Sequence, residues 1–191
     1  MEDEPKIGYR SWQIVNPTNN ARLAAMCKAF TWTSKNVMEG QIPDFSNKSG
    51  FYSYKEPVEV VHAGLYPKRE FPAAMGQIAL RGDTVTGSKA SRTNAASIKF
   101  IYDDEADTEP CSICRKEPST TYLSIGSSND VVNVCPSCIR RIKVALGSKT
   151  KLAERSRQDV LHYLSDYYNV PLKEMSSDLK RALKESRSRG G

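Results

Sequence analysis

Four of the chain's five cysteines stand in two pairs, "CSIC" at 111–114 and "CPSC" at 135–138, giving C-x2-C-x20-C-x2-C. Nothing else in the sequence restricts the fold as tightly. Two residues between paired thiols let both reach one tetrahedral ion at about 2.3 Å, and a second pair closes the shell. Cys111, Cys114, Cys135 and Cys138 are therefore candidate ligands of a structural Zn2+. Two disulfides, an iron–sulfur cluster and a redox dithiol are the alternatives. The opening "MEDEPK" is acidic and carries no apolar signal core, and no apolar run approaches the roughly 20 residues of a membrane span. A cytoplasmic protein without a membrane partner is the resulting expectation, and reduced thiols there favour metal over disulfide. Four thiolates leave no open position for water, so a catalytic metal is not expected.

The spacer "TTYLSIGSSNDVVNV" suits a β-hairpin, with strands over Thr120–Ile125 and Val131–Val134 and a turn over Gly126–Asp130. The second pair opens "CPSCIRRIKVAL", where Pro136 fits a helix start and Ile139, Ile142 and Leu146 recur at helical spacing. Knuckle, hairpin, then a helix carrying the last pair is the order of a treble-clef zinc finger. "CSIC…VCPSCI" resembles the N-terminal zinc domain of the Clp-type unfoldase. That resemblance implies a treble clef, one zinc, and a domain that dimerises and recruits other proteins. No ATPase sequence follows, so the unfoldase activity does not come with it.

The rest of the chain divides by charge. Residues 1–108 carry 13 basic and 13 acidic side chains, and residues 109–191 carry 15 and 9. The acidic "IYDDEADTEP" separates the two, which predicts an N-terminal domain over 1–108, a zinc module over 109–150 and a basic helical segment over 151–191. In the first, "GYRSWQIV", "GFYSYK" and "AAMGQIALRGDTVTG" have strand composition, and "EPVEVVHAGL" suits a short helix opened by Pro57. "ARLAAMCKAF" fits helix or buried strand. In the last, Ser156 caps a helix with Leu161, Leu164 and Tyr168 on one face. Pro171 is expected to open a second helix bearing Leu172, Met175, Leu179 and Leu183, making a helical hairpin. The fold class is thus α+β: a mixed N-terminal domain, a small treble-clef module and a C-terminal helical hairpin.

"GYRSWQI", "SGFYSYK", "GQIALRGDTV" and "ASIKFIY" together resemble a pattern in uncharacterised proteins of actinobacteria and their phages. The resemblance implies only a microbial or phage origin and says nothing of activity. That pattern places Cys and His before and within the "GFYSYK" equivalent. Here Cys27 is present, but Asp44, Phe45 and Ser49 stand at other candidate places, so a second metal site is not expected. Cys27 is read as a small apolar residue.

Other near-motifs carry less. "GDTVTGSK" (Gly82–Lys89) has the spacing of a phosphate loop but places Ser88 before Lys89, so a hairpin turn is the reading. "KSGFYSY" resembles the aromatic strand of an RNA-recognition domain, yet no basic residue adjoins its glycine and no partner motif appears. His62 and His162 belong to no defensible catalytic set, and a non-enzymatic protein is expected. The function that best fits is zinc binding combined with nucleic-acid binding, to DNA or RNA, through the basic C-terminal half. Its candidate phosphate contacts are Arg140, Arg141, Lys143, Lys149, Lys151, Arg155 and Arg157, with Lys180, Arg181 and Lys184 as a second cluster. The alternative is a protein-interaction adaptor or inhibitor of a host enzyme, with homodimerisation possible in either case.

Overall fold

The computed structural model describes residues 6–26, 31–32, 37–39, 50–66, 71–104, 110–126, 131–148 and 150–188. Cys27, Asp44, Phe45, Ser49, Asp130 and Lys149 lie outside the described residues. The elements, in chain order, are β1 (Ile7–Val15), β2 (Arg22–Ala24), β3 (Val37–Glu39), β4 (Phe51–Tyr54), α1 (Pro57–His62), β5 (Ala73–Thr86), β6 (Ala90–Asp103), β7 (Thr121–Ile125), β8 (Val131–Val134), α2 (Pro136–Leu146), β9 (Leu152–Ser156), α3 (Arg157–Tyr168), β10 (Leu172–Glu174) and α4 (Ser177–Ser188). The class is α+β, as the sequence predicts. Among the described residues no helix is long and apolar enough to cross a membrane.

β5 and β6 form a long antiparallel hairpin, and the Gly87 N–H closes its turn by donating to the Ala90 carbonyl at 2.8 Å. "GDTVTGSK" is thus hairpin and turn, with no helix after it. The register slips between Arg81 and Thr84, where Gly82 takes φ +68°; such a bulge bends the paired strands. β1 runs antiparallel along the free edge of β5, from Ile7↔Ala79 to Gln13↔Ala73. β4 pairs with the start of β6, and the single pair Tyr9↔Tyr54 joins β4 back to β1. Strands β1, β5, β6 and β4 therefore close into a ring.

Period-two alternation gives this sheet two apolar faces. Trp12, Ile14, Ile78, Leu80 and Ile98 gather with Trp32 and Phe51 on one, and Leu161, Leu164 and Tyr168 of α3 cover them. The Tyr168 hydroxyl is satisfied there, accepting from the Leu23 N–H at 3.0 Å and donating to the Trp32 carbonyl at 3.1 Å. Met75, Phe100 and Tyr102 form the other face, covered by Val60 and Val61 of α1 and by Leu179 and Leu183 of α4.

The C-terminal segment holds two helices as expected but departs from the expected start of the second. Residues 172–174 are a strand, not the first turn of a helix: β10 lies parallel to the end of β6, and the Pro171 carbonyl accepts from the Ile101 N–H at 3.1 Å. α4 begins only at Ser177, where the Ser176 hydroxyl accepts from the Leu179 N–H. A free sheet edge and a serine cap outcompete the proline start. α3 and α4 then pack on opposite faces of the N-terminal sheet, and β9 joins neither: it pairs with β7. The elements of 151–191 thus pack on or pair with both sheets.

The second sheet has the order β8–β7–β9. The hairpin strands fall where the sequence places them, and α2 starts at Pro136. Leu123, Val134 and Ile139 close over the cysteines on one side of this sheet. On the other, Tyr122 enters the core of the larger sheet and Ser124 meets Thr18 at 3.1 Å.

Candidate metal centre and the basic surface around it

The first knuckle is held by backbone bonds. The Cys111 N–H donates to the Glu117 carbonyl at 2.8 Å, the Ser112 N–H to the Asn133 carbonyl at 2.9 Å, and the Arg115 N–H to the Cys111 carbonyl at 2.8 Å. Arg115 pays for the tight turn with a left-handed backbone, φ 55°. In the second knuckle Cys135 is the N-cap of α2, and its sulfur accepts from the Cys138 N–H at 3.4 Å. Pro136 at the first helical position has no N–H to leave unsatisfied. Strand β8 therefore delivers Cys135, and the first turn of α2 returns Cys138 beside it.

The four sulfurs lie within 4.8 Å of one another, with Cys114 and Cys135 at 3.8 Å. A tetrahedron with metal–sulfur bonds of about 2.3 Å has edges of about 3.8 Å, so the set fits Zn2+ in size and in donor type. Cys111, Cys135 and Cys138 are buried; Cys114 is half-buried. The sulfurs differ electrostatically. Burial pushes the Cys135 and Cys138 thiols up. For Cys111 burial is opposed and outweighed by the backbone N–H groups of Cys114, Cys135 and Ile113, and the thiol moves down. Cys114 moves down through the Glu117 and Lys116 N–H groups. A hydrogen bond from Ser137 holds the exposed Glu117 carboxyl below its usual range, with Arg140 and Arg141 adding to the effect. This carboxylate faces part of the nearby positive charge.

The structure sorts nine of the ten candidate cations, Lys149 lying outside the described residues. Arg140, Arg141 and Lys143 are exposed on α2, Lys151 is exposed just before β9, and Lys180, Arg181 and Lys184 are exposed on α4. Lys143 pairs with Glu154 at 2.7 Å, and Arg181 with Asp178 at 2.9 Å. Arg155 is half-buried: it donates to the Asn19 carbonyl at 3.0 Å and lies 4.5 Å over the Tyr163 ring. α4 sits across the larger sheet from α3, so its cations do not continue the α2–β9 group as one stripe.

Arg157 is a correction. It is 8% exposed, and its guanidinium meets Asp104 at 2.6 and 3.0 Å, the Ala73 carbonyl at 2.8 Å, the Tyr66 hydroxyl at 3.2 Å and the Tyr122 hydroxyl. A cation enclosed in this way has no face for a phosphate. The signal was present in the sequence: Arg157, Leu161, Leu164 and Tyr168 stand at i, i+4, i+7 and i+11, the same buried helix face. Its partners, drawn from three distant segments, carry no such signal.

His62 ends α1 and His162 lies on α3, on opposite sides of the larger sheet; the fold does not bring them together. No family model, no curated protein and no solved structure matches the chain.

Proposed function

We propose that this is a non-enzymatic zinc protein that binds nucleic acid through the surface of α2 and the adjoining Lys151. One observation carries the reading. Arg140 and Arg141 project from a helix whose first turn contains Cys138 and whose cap is Cys135, so the metal would fix both the helix and its cations. Pre-organised arginines on a rigid helix suit phosphate contact, which positions a protein without reading base sequence. The module itself is read as a treble clef, in which zinc replaces the core that about 30 residues cannot build. The test is binding of labelled duplex and single-stranded DNA and RNA across a salt series. Affinity that falls steeply with salt supports the reading, and no binding even at low salt ends it.

A second reading, a protein-interaction module, is favoured by apolar side chains around the same surface. Val144 is 84% exposed on α2, and Ile113 between the first two cysteines is 56% exposed. A single protein partner retained on the chain after nuclease treatment would select this reading.

A further inference from the structure

Tyr52 stands at the wall between two shallow clefts. One, of about 270 Å³, is lined by Val85, Ser88, Lys89, Ser91 and Arg92. The other, of about 260 Å³, is lined by Arg10, Met26, Tyr54 and Leu65 among others. Tyr52 lines both and is 46% exposed, although it belongs to a sheet whose other large aromatics are mostly buried. Its neighbours fix it in place. Arg92 faces it across the β4–β6 pair, the Tyr54 ring meets it edge-on at 5.4 Å, and the Lys55 N–H donates to the Lys89 carbonyl at 3.0 Å. Among the described residues no carboxylate lines either cleft. The first cleft thus offers the Lys89 ammonium and the Ser88 hydroxyl, and the second offers mainly apolar surface, with an exposed aromatic ring between them.

We propose that this is a contact site for single-stranded nucleic acid, with an unpaired base against the Tyr52 ring and the adjacent phosphate at Lys89 and Ser88. The proposal rests on the nucleic-acid reading above and adds a preference to it. Cations on α2 accept any phosphate backbone, whereas a ring that stacks on a base needs that base unpaired. Duplex, whose bases are already stacked, would gain nothing from Tyr52.

The test is fluorescence anisotropy with a labelled oligothymidine and a labelled duplex, using the full zinc-loaded chain. The variants are Tyr52→Ala, Tyr52→Phe, Lys89→Gln and the double variant Arg140→Gln/Arg141→Gln. Tyr52→Ala is expected to weaken oligothymidine binding by about fivefold or more, the lower range for losing one stacked base, and to leave duplex binding within about twofold. Tyr52→Phe should bind as the parent does, and Lys89→Gln should weaken the single strand more than the duplex. Oligothymidine binding unchanged in Tyr52→Ala overturns this site while the α2 reading stands. Loss in Tyr52→Ala with none in the α2 variant keeps the site and removes α2. No binding of either probe by the parent chain removes both.

Discussion

Arg157 and Asp104, 53 residues apart in the chain, meet in a buried ion pair at 2.6 Å. Asp104 follows the last strand of the long hairpin, Arg157 opens α3, and the two tyrosines that share the guanidinium come from the α1 side (Tyr66) and from the zinc module (Tyr122). Three separately built parts of the molecule therefore converge on one cation.

Breaking this pair from one side leaves a desolvated charge behind. Arg157→Met is expected to destabilise the chain by about 3–5 kcal/mol, and Arg157→Met with Asp104→Leu by clearly less, because the second change removes the stranded carboxylate. Urea unfolding curves of the two variants decide it. A single variant within about 1 kcal/mol of the parent would show that the pair does not join these parts.

The sulfur cage makes a stoichiometric claim. Purified chain should carry about one zinc, and Cys135→Ser or Cys138→Ser should lose it, whereas Cys27→Ser should not. Chelation should open amide exchange first in β7, β8 and α2, read by hydrogen–deuterium exchange mass spectrometry. Metal content well below 0.5 per chain (roughly half-occupancy) would count against the four-thiolate site.

Gly76 is held by contact, not by turn geometry. An added Cβ would lie 2.2 Å from the Phe100 carbonyl oxygen, a backbone atom in the paired strand. Gly76→Ala must push β5 away from β6, and a loss of at least about 2 kcal/mol is expected, in the range for overpacking a tight core. Thermal melting of this variant beside the parent provides the check, and an unchanged midpoint would show that the strand pair accommodates the methyl.

If α2 carries the phosphate contacts, Arg140→Gln/Arg141→Gln should flatten the plot of log affinity against log salt by about 1.8 for duplex DNA, about 0.9 for each contact removed. Arg157→Gln should leave that slope alone, since its guanidinium is enclosed. A change of slope in the second variant and none in the first would invert the assignment.

What the sequence revealed follows the range of the forces involved. The cysteine spacing, the Ser156 cap that accepts from the Asp159 N–H at 3.0 Å, and the α3 face are local, fixed within one or two turns, and each is where the residues place it. The hairpin of the zinc module was legible for the same reason. Strand β10 was not, because its state depends on the edge of β6, some seventy residues earlier. Arg157 reads as one more solvated cation until Asp104, Tyr66 and Tyr122 are folded around it. The sorting of the basic residues into two separate surfaces is likewise a property of which sheet face each helix covers, and charge counting along the chain is blind to it.

The third strand of the small sheet has a practical consequence for anyone wishing to transplant the cysteine cassette. β9 pairs along the whole of β7, from Thr121↔Ser156 to Ile125↔Leu152. A fragment ended at residue 150 would keep all four thiolates yet leave β7 with a bare row of amides and carbonyls, an edge prone to recruit strands from other molecules. The portable unit is therefore longer than the metal-binding motif, and extending it through Ser156 removes the cap of α3 from the parent fold.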